Sequence, residues 1–531
     1  MFEDFKEYSV AEFFKKNRQM IGFSGKVKSL TVIVHEYFTN SMDACEEAGI
    51  LPDIKVAITQ EDEERYTVEV WDNGPGIPKS ILGKALGKML TGTKFHRYVQ
   101  QRGQQGIGAA GCTMFSYLTT GKPIEVVSRY KGNEVRATIG LDIQRNEPVM
   151  NVMEEKKLES QEHGLYVKAY FSDVKYDKSS YSPSEYIKLS ALSNPHAQIE
   201  FIEPSGQRFL YPRVVNELPP RPVEIKPHPL GVDRHMLFEM MKASKPMRIS
   251  AFLTSEFSRF SSAKLDELRT ACPSVDLSKK TSEITWEEAE KIVKAIQSIK
   301  WMAPPTDCLS GIGAQQMEKA LSSILNPQFL KVVERPPKVY RGGVPFKVEA
   351  AIAYAPNFGK TQVLRYANRV PLMFDAGACA ITETVKSIDW KRYNIDIENN
   401  AVIMVNLSSV FVPYLTAGKQ AISPEEEIVA EIRNALMEAA RGVSGFISSE
   451  VREREKGKRK KIFLKYVPQI AADLAYLSDV RQEVLMKAME KVIEKRMGEI
   501  EEMENEDEAE PLPSKEKEKG DENGEAAGEA E

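Results

Sequence analysis

Hydrophobic and polar positions follow a two-residue period in several short runs of the first part of the chain. DIKVAITQ (53–60), PIEVVSRY (123–130) and GLYVKAYF (164–171) are rich in β-branched and aromatic residues, which favours strands. Segments with a helical period separate several of these runs. This alternation predicts an α/β layer domain over about the first 210 residues, ended by a proline cluster between 212 and 229.

The pattern becomes helical from about residue 230 to 305, and strand patterns return at FKVEAAIAYAP (346–356), VLRYANRVPLMF (363–374) and NAVIMVNLSSVFVPY (400–414). Two long helical segments are predicted next, at about 424–455 and 469–500. The second has an apolar stripe, which consists of Leu474, Leu477, Val484, Met489 and Val492. Such a stripe packs either on its own domain or on a partner, and the pattern leaves both open. The whole succession predicts a multidomain α+β fold.

Length and composition indicate a globular protein with more than one core. The chain has 531 residues, 42% hydrophobic and 28% charged, and this length predicts three or four domains. We expect neither a secretory leader, because MFEDFKEYSV carries acids and lacks an apolar core, nor a membrane span. The five cysteines are scattered without a Cys-x-x-Cys pair, which predicts a cytoplasmic protein with no disulfide framework and no structural zinc.

The net charge of −5 is distributed unevenly along the chain. Residues 499–531 are strongly acidic and lack aromatic side chains, so we expect a disordered, solvated tail there. Without this tail the body is nearly neutral to slightly basic. Local basic patches that contact nucleic acid are therefore compatible with the composition.

Three motifs carry candidate chemistry. The first is VHEYFTNSMDACEEAGI, in which Glu36, Asn40 and Asp43 are spaced four and three residues apart, on one side of a helix that Gly49 ends. The second is TVEVWDNGPGIP, where Asp72 ends a strand before a turn with two glycines. Both have ordinary alternatives, since charged helix faces usually meet water and Asp-Asn-Gly runs usually form turns.

The third motif, TGTKFHRYVQQRGQQGIGAAG, is a glycine-rich loop followed by the predicted helix CTMFSYL. Backbone N–H groups in such a loop surround phosphates, and the start of a helix adds positive potential. The loop is not a Walker A motif, because no Gly-Lys pair is followed by Ser or Thr. GIGAAG (106–111) matches a Rossmann fingerprint, but the polar HRYVQQRGQQ precedes it where a buried strand should lie.

The order of these motifs, within about 80 residues, resembles the ATPase superfamily of gyrase, the 90-kDa heat-shock chaperone, histidine kinases and MutL. RGQQGIG, LRYANRVPLMFD (364–375) and AGKQ (417–420) resemble, more narrowly, the B subunits of archaeal DNA topoisomerase VI. The resemblance covers nearly the whole chain except the acidic tail. It implies, in chain order, an α/β sandwich ATPase domain of the Bergerat fold with an N-terminal strap (1–225), a helix–two-turn–helix domain (226–306), an α/β transducer domain (307–470), a partner-docking helix (471–500) and a disordered tail (501–531).

The resemblance also implies the roles of individual residues. Glu36 is the expected general base for hydrolysis, Asn40 the expected Mg²⁺ ligand, and Asp72 the expected acceptor for the adenine amino group. Lys419 is expected to reach the γ-phosphate from the transducer domain. Further ATP contacts are expected from Gly74, Gly76, Thr93, Lys94, Arg102, Gly103, Gln104, Gln105, Gly106, Ile107, Gly108 and Ala109. The superfamily's Gly-Thr pair is replaced by Gly164-Leu165, which puts selectivity for the base in doubt.

Two basic segments are candidates for contact with double-stranded DNA. REREKGKRKK (452–461) has seven cationic residues in ten, and the candidates there are Lys456, Lys458, Arg459, Lys460 and Lys461. DWKRY (389–393) interleaves Trp390 with Lys391 and Arg392. Solvated loops are the alternative for both.

The implied function is the ATP- and Mg²⁺-dependent subunit of a type IIB DNA topoisomerase. The resemblance implies two further features: a homodimer that closes on ATP, and an A2B2 assembly with a DNA-cleaving, tyrosine-bearing A subunit. A MutL-like repair ATPase and a nucleotide-gated scaffold are the alternatives.

Overall fold

The computed structural model describes residues 18, 22–89, 98–103, 108–142, 145, 147–396, 400–416, 418–478, 480–493 and 495. The chain divides into two units, with the division between Ser444 and Gly445. Several predictions lie outside the described residues. They concern most of the N-terminal strap, Thr93, Lys94, Gln104, Gln105, Gly106, Ile107 and the tail from 501 to 531.

Eight strands form the first sheet: β1 (Asp53–Gln60), β2 (Tyr66–Asp72), β3 (Ile124–Tyr130), β4 (Asn133–Asp142), β5 (Glu147–Lys157), β6 (Gly164–Phe171), β7 (Gln198–Ile202) and β8 (Arg208–Tyr211). They lie in the order β5-β4-β3-β6-β2-β1-β7-β8, and only β1 and β7 are parallel neighbours. The sequence pattern placed β1 and β6 at their observed bounds. It did not indicate β5, because this edge strand has no buried position and hence no apolar alternation.

Four helices pack on this sheet: α1 (Lys26–Ala48), α2 (Lys79–Gly87), α3 (Gly108–Thr120) and α4 (Pro183–Ser193). Along β2, Val68 and Val70 belong to the core beneath the helices, while Glu69 and Trp71 on the other face are partly exposed. The predicted α/β layer domain is thus confirmed as one helical layer on one sheet.

The helices predicted between 230 and 305 are confirmed: α5 (Arg234–Ala243), α6 (Ile249–Glu256), α7 (Ser262–Ala271) and α8 (Trp286–Ser298). Their starts are set by local chemistry, because the side chains of Asp233, Ser261 and Thr285 accept backbone N–H groups of the first turns of α5, α7 and α8. These helices share a core of their own, which includes Leu237, Phe252, Leu268 and Ile292.

Six strands form the second sheet: β9 (Phe329–Glu334), β10 (Lys338–Tyr340), β11 (Val344–Tyr354), β12 (Gln362–Ala367), β13 (Val370–Pro371) and β14 (Ala401–Ser409). Two helices accompany them, α9 (Ala314–Leu325) and α10 (Ala380–Ser387). The order is β10-β11-β14-β12-β13, with β9 also paired to β11. Leu192 of α4 packs in the same cluster as Met317 and Leu321 of α9, so this sheet shares apolar contacts with the first domain.

The run VLRYANRVPLMF is a hairpin and not one strand. β12 and β13 pair antiparallel, and Asn368 and Arg369 between them have φ values of 49° and 68°. The left-handed conformation of two successive non-glycine residues makes this a tight turn, which apolar periodicity does not reveal.

The long helix α11 (Glu426–Ser478) corrects two predicted boundaries. We predicted that one helix ends near 455 and another starts at 469, but α11 continues through both positions and contains Pro468. A further helical stretch covers 482–493. The basic run 452–461 therefore lies within a helix and not in a loop.

Within the described part of the chain, no helix combines the length and the apolar character needed to cross a membrane.

Candidate nucleotide-binding site

Helix α1 carries Glu36 and Asn40 at accessible positions of its otherwise largely buried middle part. The helix starts after Gly25 and ends at Gly49, whose left-handed conformation lets its N–H bond the carbonyls of Cys45 and Glu46. The Glu36 side chain is 32% exposed and Asn40 is exposed, whereas most of the surrounding helix is buried. Nothing among the described residues bonds the Asn40 amide, so its oxygen is available to a ligand.

Helix α3 begins directly against the Glu36 carboxylate. A Cβ atom added to Gly108 would lie 2.0 Å from Oε2 of Glu36, so a side chain at this position would displace the carboxylate. The first residues of α3, Gly108 and Ala109, therefore lie beside the predicted base as the glycine-rich motif requires. The start of the helix places positive potential next to the carboxylate.

His35 is a neighbour of Glu36 that the motif analysis missed. Its Nε2 lies 3.8 Å from Oε1 of Glu36, and its Nδ1 lies 3.1 Å from the hydroxyl of Tyr186. Burial lowers the pKa of His35, Glu36 partly offsets this, and the positive charge of Lys419 lowers it further. The only sequence signal was a histidine directly before the predicted base.

Asp72 is held at the end of β2 by three internal donors. The Ser41 hydroxyl donates to Oδ2 (2.7 Å), and the backbone N–H groups of Gly74 (2.9 Å) and Leu165 (3.2 Å) donate to Oδ1. Burial raises the pKa of the Asp72 carboxyl, and these hydrogen bonds offset the rise only in part. Ser41 was not predicted. Its hydroxyl reaches Asp72, although the replacement of the superfamily's Gly-Thr pair by Gly164-Leu165 removes a threonine hydroxyl from this end of the site.

The turn after Asp72 is packed so closely that two of its neighbours must be glycine. Gly76 has a φ of 72°, and a Cβ there would lie 2.1 Å from the carbonyl oxygen of Arg129. A Cβ on Gly164 would lie 2.3 Å from the carbonyl oxygen of Asp72. A Cβ on Gly74 would come within 3.0 Å of the Asp72 carboxylate. These close contacts fix the shape of the turn beside Asp72 and exclude larger side chains from it.

Arg102 is buried in an ion cluster next to the site. Its Nη1 donates to Asp43 (2.7 Å), and its Nη2 donates to Glu46 (2.7 Å) and to the amide oxygen of Asn194 (2.9 Å). The side chain is 5% exposed. In this conformation the guanidinium is paired with two carboxylates of α1. A contact of Arg102 with phosphates stays a prediction, and it requires these ion pairs to break. Gly103, the next residue, has open space around it.

Glu46 is the centre of this cluster. It accepts hydrogen bonds from Arg102, from Arg369 (2.7 Å) and from His196 (2.8 Å). Burial alone would raise the pKa of Glu46, but the two arginines and His196 more than offset it and hold the pKa well below its ordinary value. Glu46 is therefore an ionised carboxylate inside the protein.

Lys419 is carried by a turn that the second sheet holds in place. It is partly buried, and its φ of 53° is left-handed. The next residue, Gln420, accepts through Oε1 from the N–H of Phe374, and its carbonyl accepts from Arg365. Its positive charge is one of the causes that lower the pKa of His35, the residue before Glu36.

The comparisons with known proteins agree with this geometry. Residues 25–143 match the family of histidine kinase-, DNA gyrase B- and HSP90-like ATPases, and residues 304–460 match the transducer of the topoisomerase VI B subunit. The type 2 DNA topoisomerase 6 B subunit of Pyrococcus horikoshii is 42% identical, and the match covers 95% of this chain and 98% of the relative. This chain belongs to that family.

Two further relatives show how far the likeness extends. The type 2 DNA topoisomerase 6 B subunit of Methanothermobacter thermautotrophicus is 44% identical over 90% of this chain and 93% of its own length. The ATPase region of topoisomerase II from Saccharomyces cerevisiae, solved with ICRF-187 (dexrazoxane), is a distant structural neighbour. It has a TM-score of 0.41 and 12% identity over 83% of this chain and 98% of that one.

One residue proposed for DNA contact in this topoisomerase 6 B-type chain is not accessible. Trp390 is 4% exposed, and its Nε1 donates to the carbonyl of Val385. Our prediction that Trp390 contacts DNA is wrong for this conformation, because the indole holds a 3₁₀ turn (Trp390–Tyr393) against the core. The turn leaves Lys391 and Arg392 exposed. On α11, Lys458, Arg459 and Lys461 are exposed, and Lys456 and Lys460 are partly buried.

Proposed function

We propose that this chain binds and hydrolyses ATP as the B subunit of a type IIB DNA topoisomerase. The observation that carries the proposal is the convergence at one helix of Glu36, Asn40, the start of α3 and the charge of Lys419, a residue almost 400 positions away. A positive charge that a loop of the second sheet contributes at this part of α1 is what a triphosphate bound there would require.

Glu36 is the proposed general base and Asp72 the proposed adenine acceptor. A carboxylate on a rigid helix orients one water for attack, and such a base is worth about 10²–10⁴-fold in rate. Asp72 carries a carboxylate at the end of β2, beside a turn that contains Gly74 and Gly76. A carboxylate oxygen there is a suitable acceptor for an exocyclic amino group. Contacts of Gly74, Gly76 and Gly103 with ATP, and of the residues outside the described part, belong to the same proposal.

Asn40 fits the proposed role of Mg²⁺ ligand. Mg²⁺ prefers hard oxygen ligands and is commonly held by one or two protein groups together with phosphate oxygens and water. The amide oxygen of Asn40 is exposed beside Glu36 and bonds to nothing in the described structure. When bound, the ion supplies charge neutralisation at the phosphates.

Lys419 is proposed to couple nucleotide state to movement. Its loop depends on Gln420 and Arg365, so the lysine moves with the second sheet. A cation that binds the terminal phosphate loses its partner on hydrolysis, which biases the arrangement of the two domains. We propose that ATP thereby closes a homodimer around a DNA duplex and that hydrolysis reopens it.

The partner A subunit is proposed to dock on the C-terminal unit. Among the described residues, 22 large apolar side chains are exposed, and 11 of them lie between 451 and 492. The most exposed are Tyr476 (91%) and Leu477 (78%). This concentration supports a docking surface in this part of the chain, which includes the helix predicted at 471–500, and we propose that the assembly is A2B2. We keep the other predicted domain limits, 225/226, 306/307 and 470/471, as part of this proposal, together with a cytoplasmic location, which the five free cysteines support.

DNA is proposed to contact the exposed cations of α11 and of the 3₁₀ turn. The test is the triple variant Lys458→Gln/Arg459→Gln/Lys461→Gln. Duplex affinity should fall, and the slope of log affinity against log salt should decrease by about one per lost phosphate contact. The matched control is Lys122→Gln/Lys131→Gln/Lys157→Gln, three exposed lysines near the first sheet. Equal salt slopes for the two triples would exclude α11 from the contact.

The proposed function is tested by relaxation of a supercoiled plasmid with the purified chain, an archaeal topoisomerase VI A subunit, Mg²⁺ and ATP. We expect relaxation only when all components are present, and ATP hydrolysis by the chain alone or with DNA. Absence of both activities in a folded preparation that forms the complex would overturn the proposal. Hydrolysis without relaxation would instead favour the MutL-like repair ATPase.

A further inference from the structure

The motif LRYANRVPLMFD contains a turn that the nucleotide site does not use. Asn368 and Arg369 are 3% and 5% exposed, although they connect two strands and carry polar side chains. Left-handed non-glycine residues persist only where surrounding contacts hold them. A buried arginine likewise needs specific partners. The partners therefore indicate what the turn is for.

The turn binds the residues that lead into the glycine-rich loop. We call residues 98–103 the root segment. The Nδ2 of Asn368 donates to the backbone oxygen of Gln101 (2.9 Å). One residue earlier, the Gln100 side chain donates to the carbonyl of Ser310 (2.6 Å) and accepts from its N–H (2.7 Å). Two successive root residues are thus bonded directly to the part of the chain that leads into the second sheet.

Arg102, the next residue of the root segment, is connected to the second sheet through Glu46. Nη2 of Arg369 donates to Oε2 of Glu46 at 2.7 Å, and the same oxygen lies 3.2 Å from Nη1 of Arg102. With Asp43, the cluster contains two carboxylates and two guanidinium groups, so its charges balance. Removal of Arg369 would leave a buried carboxylate with less than its full compensation.

Arg369 is also the least satisfied member of the cluster. Its Nε is buried and has no hydrogen-bond partner in the described structure. An unpaired donor of this kind is uncommon in native structures. It is consistent with a guanidinium that must be able to change partners when the second sheet moves.

The cluster and the proposed general base share one helix. Glu46 and Glu36 both lie on α1, so the contact of Arg369 with Glu46 acts on the element that carries Glu36. Arg102 is also close in sequence to Gly108, where an added Cβ would lie 2.0 Å from Oε2 of Glu36.

We propose that Arg369 is a positioning residue for ATP hydrolysis. Through Glu46 and Arg102 it fixes the root segment against α1, so that the geometry at Glu36 depends on the place of the second sheet. This inference rests on the proposed function, since it concerns hydrolysis at Glu36. It is independent of Lys419, which comes from another loop.

The test compares Arg369→Gln with Arg341→Gln, a matched control whose arginine is exposed and pairs with Glu425. We expect kcat to fall about 10- to 100-fold in Arg369→Gln, as is typical when catalytic geometry is displaced. ADP affinity should fall much less than kcat, because the contacts of the Asp72 end do not depend on Arg369. Without nucleotide, backbone amides of 98–103 should exchange faster by mass spectrometry. Arg369→Lys, which keeps the charge, should recover part of kcat.

Two outcomes would overturn the proposal: an unchanged kcat in Arg369→Gln, or equal losses of kcat and of ADP affinity, which would indicate general damage. If Arg369→Gln does not fold, Asn368→Ala tests the same joint with the charges intact, and it should raise exchange at 98–103 and lower kcat to a smaller extent. The exchange measurement needs no turnover. A wild-type chain that hydrolyses no ATP would sink the proposed function while the contact itself could still be tested.

Discussion

The two ends of the candidate site are built differently. At the proposed adenine end, Asp72 is fixed by Ser41, Gly74 and Leu165, all within the first domain. The backbone packs so closely at the glycines there that larger side chains do not fit. At the proposed phosphate end, Glu36 is partly exposed and Asn40 is exposed, and the remaining groups come from other segments. The proposed adenine acceptor is therefore held in place by its own domain, whereas the proposed hydrolytic site also needs groups that other segments deliver.

The largest effect should come from a change of Glu36, the proposed general base. Glu36→Gln keeps the size of the side chain but removes the carboxylate that polarises water, so kcat should fall about 10²- to 10⁴-fold. Binding of ADP should not change, because the adenine end does not involve Glu36. Steady-state hydrolysis and calorimetry measure the two quantities. Glu47→Gln, on the exposed side of the same helix, is the control, and near-normal turnover of Glu36→Gln would remove it from this role.

The next effect concerns the lysine that comes from the second sheet. Lys419→Ala should lower kcat by about 10²-fold, the usual loss when one group that stabilises transition-state charge is removed. It should also abolish the change in solution scattering that a non-hydrolysable ATP analogue causes in the wild type. Lys386→Ala, an exposed lysine of α10, provides the comparison. A preserved nucleotide-dependent change in Lys419→Ala would assign the coupling to another contact.

The sequence revealed most of what lies within one element and little of what joins elements. Helical spacing put Glu36 and Asn40 on one face and a strand end before glycines singled out Asp72, while the family resemblance implied their roles. The burial of Arg102 and Trp390 could not be predicted, because a basic residue near glycines and a WKRY turn both look solvated until their partners are known. Ser41 and His35 act through contacts with Asp72 and Tyr186, which are 31 and 151 residues away.

The same limit explains the errors of boundary. The pattern predicted two helices with a gap between 455 and 469, yet α11 continues through this gap and contains Pro468. A proline inside a helix removes one hydrogen bond and kinks the helix without necessarily ending it. The hairpin at Asn368 and Arg369 was read as one strand, since two left-handed residues leave no trace in an apolar pattern.

A moderate effect is expected at the adenine end. Asp72→Asn should weaken ATP binding about 10- to 100-fold, because a hydrogen bond to a charged group contributes about 1.5–3 kcal/mol. The substitution also turns an acceptor towards the adenine amino group into a donor, so discrimination against GTP should fall. Calorimetry with both nucleotides measures this, and Asp266→Asn, exposed on α7, is the control. Unchanged affinity and selectivity would place the adenine elsewhere.

The smallest effect concerns the pH dependence of ATP binding, which should report on the Asp72 end alone. Because burial raises the pKa of Asp72, ATP affinity should fall on acidification at a higher pH than an ordinary aspartate would give. The Ser41 hydroxyl opposes that rise, since it donates to the ionised form. Ser41→Ala should therefore raise the pKa further and move the acid limb of ATP binding upward. The shift should be under about one pH unit, because one neutral hydrogen bond is worth about 1 kcal/mol and one unit corresponds to about 1.4 kcal/mol.

The control for this shift is Ser29→Ala on the same helix, where the buried hydroxyl donates to the carbonyl of Gly25 and touches no carboxylate. It should leave the acid limb in place, although it removes one hydrogen bond of the same kind. The kcat of Ser41→Ala at neutral pH should also be close to normal once ATP is saturating, since Glu36 is untouched. An acid limb that stays fixed in Ser41→Ala would show that another group, and not the rigid Asp72 end, controls the pH dependence of binding.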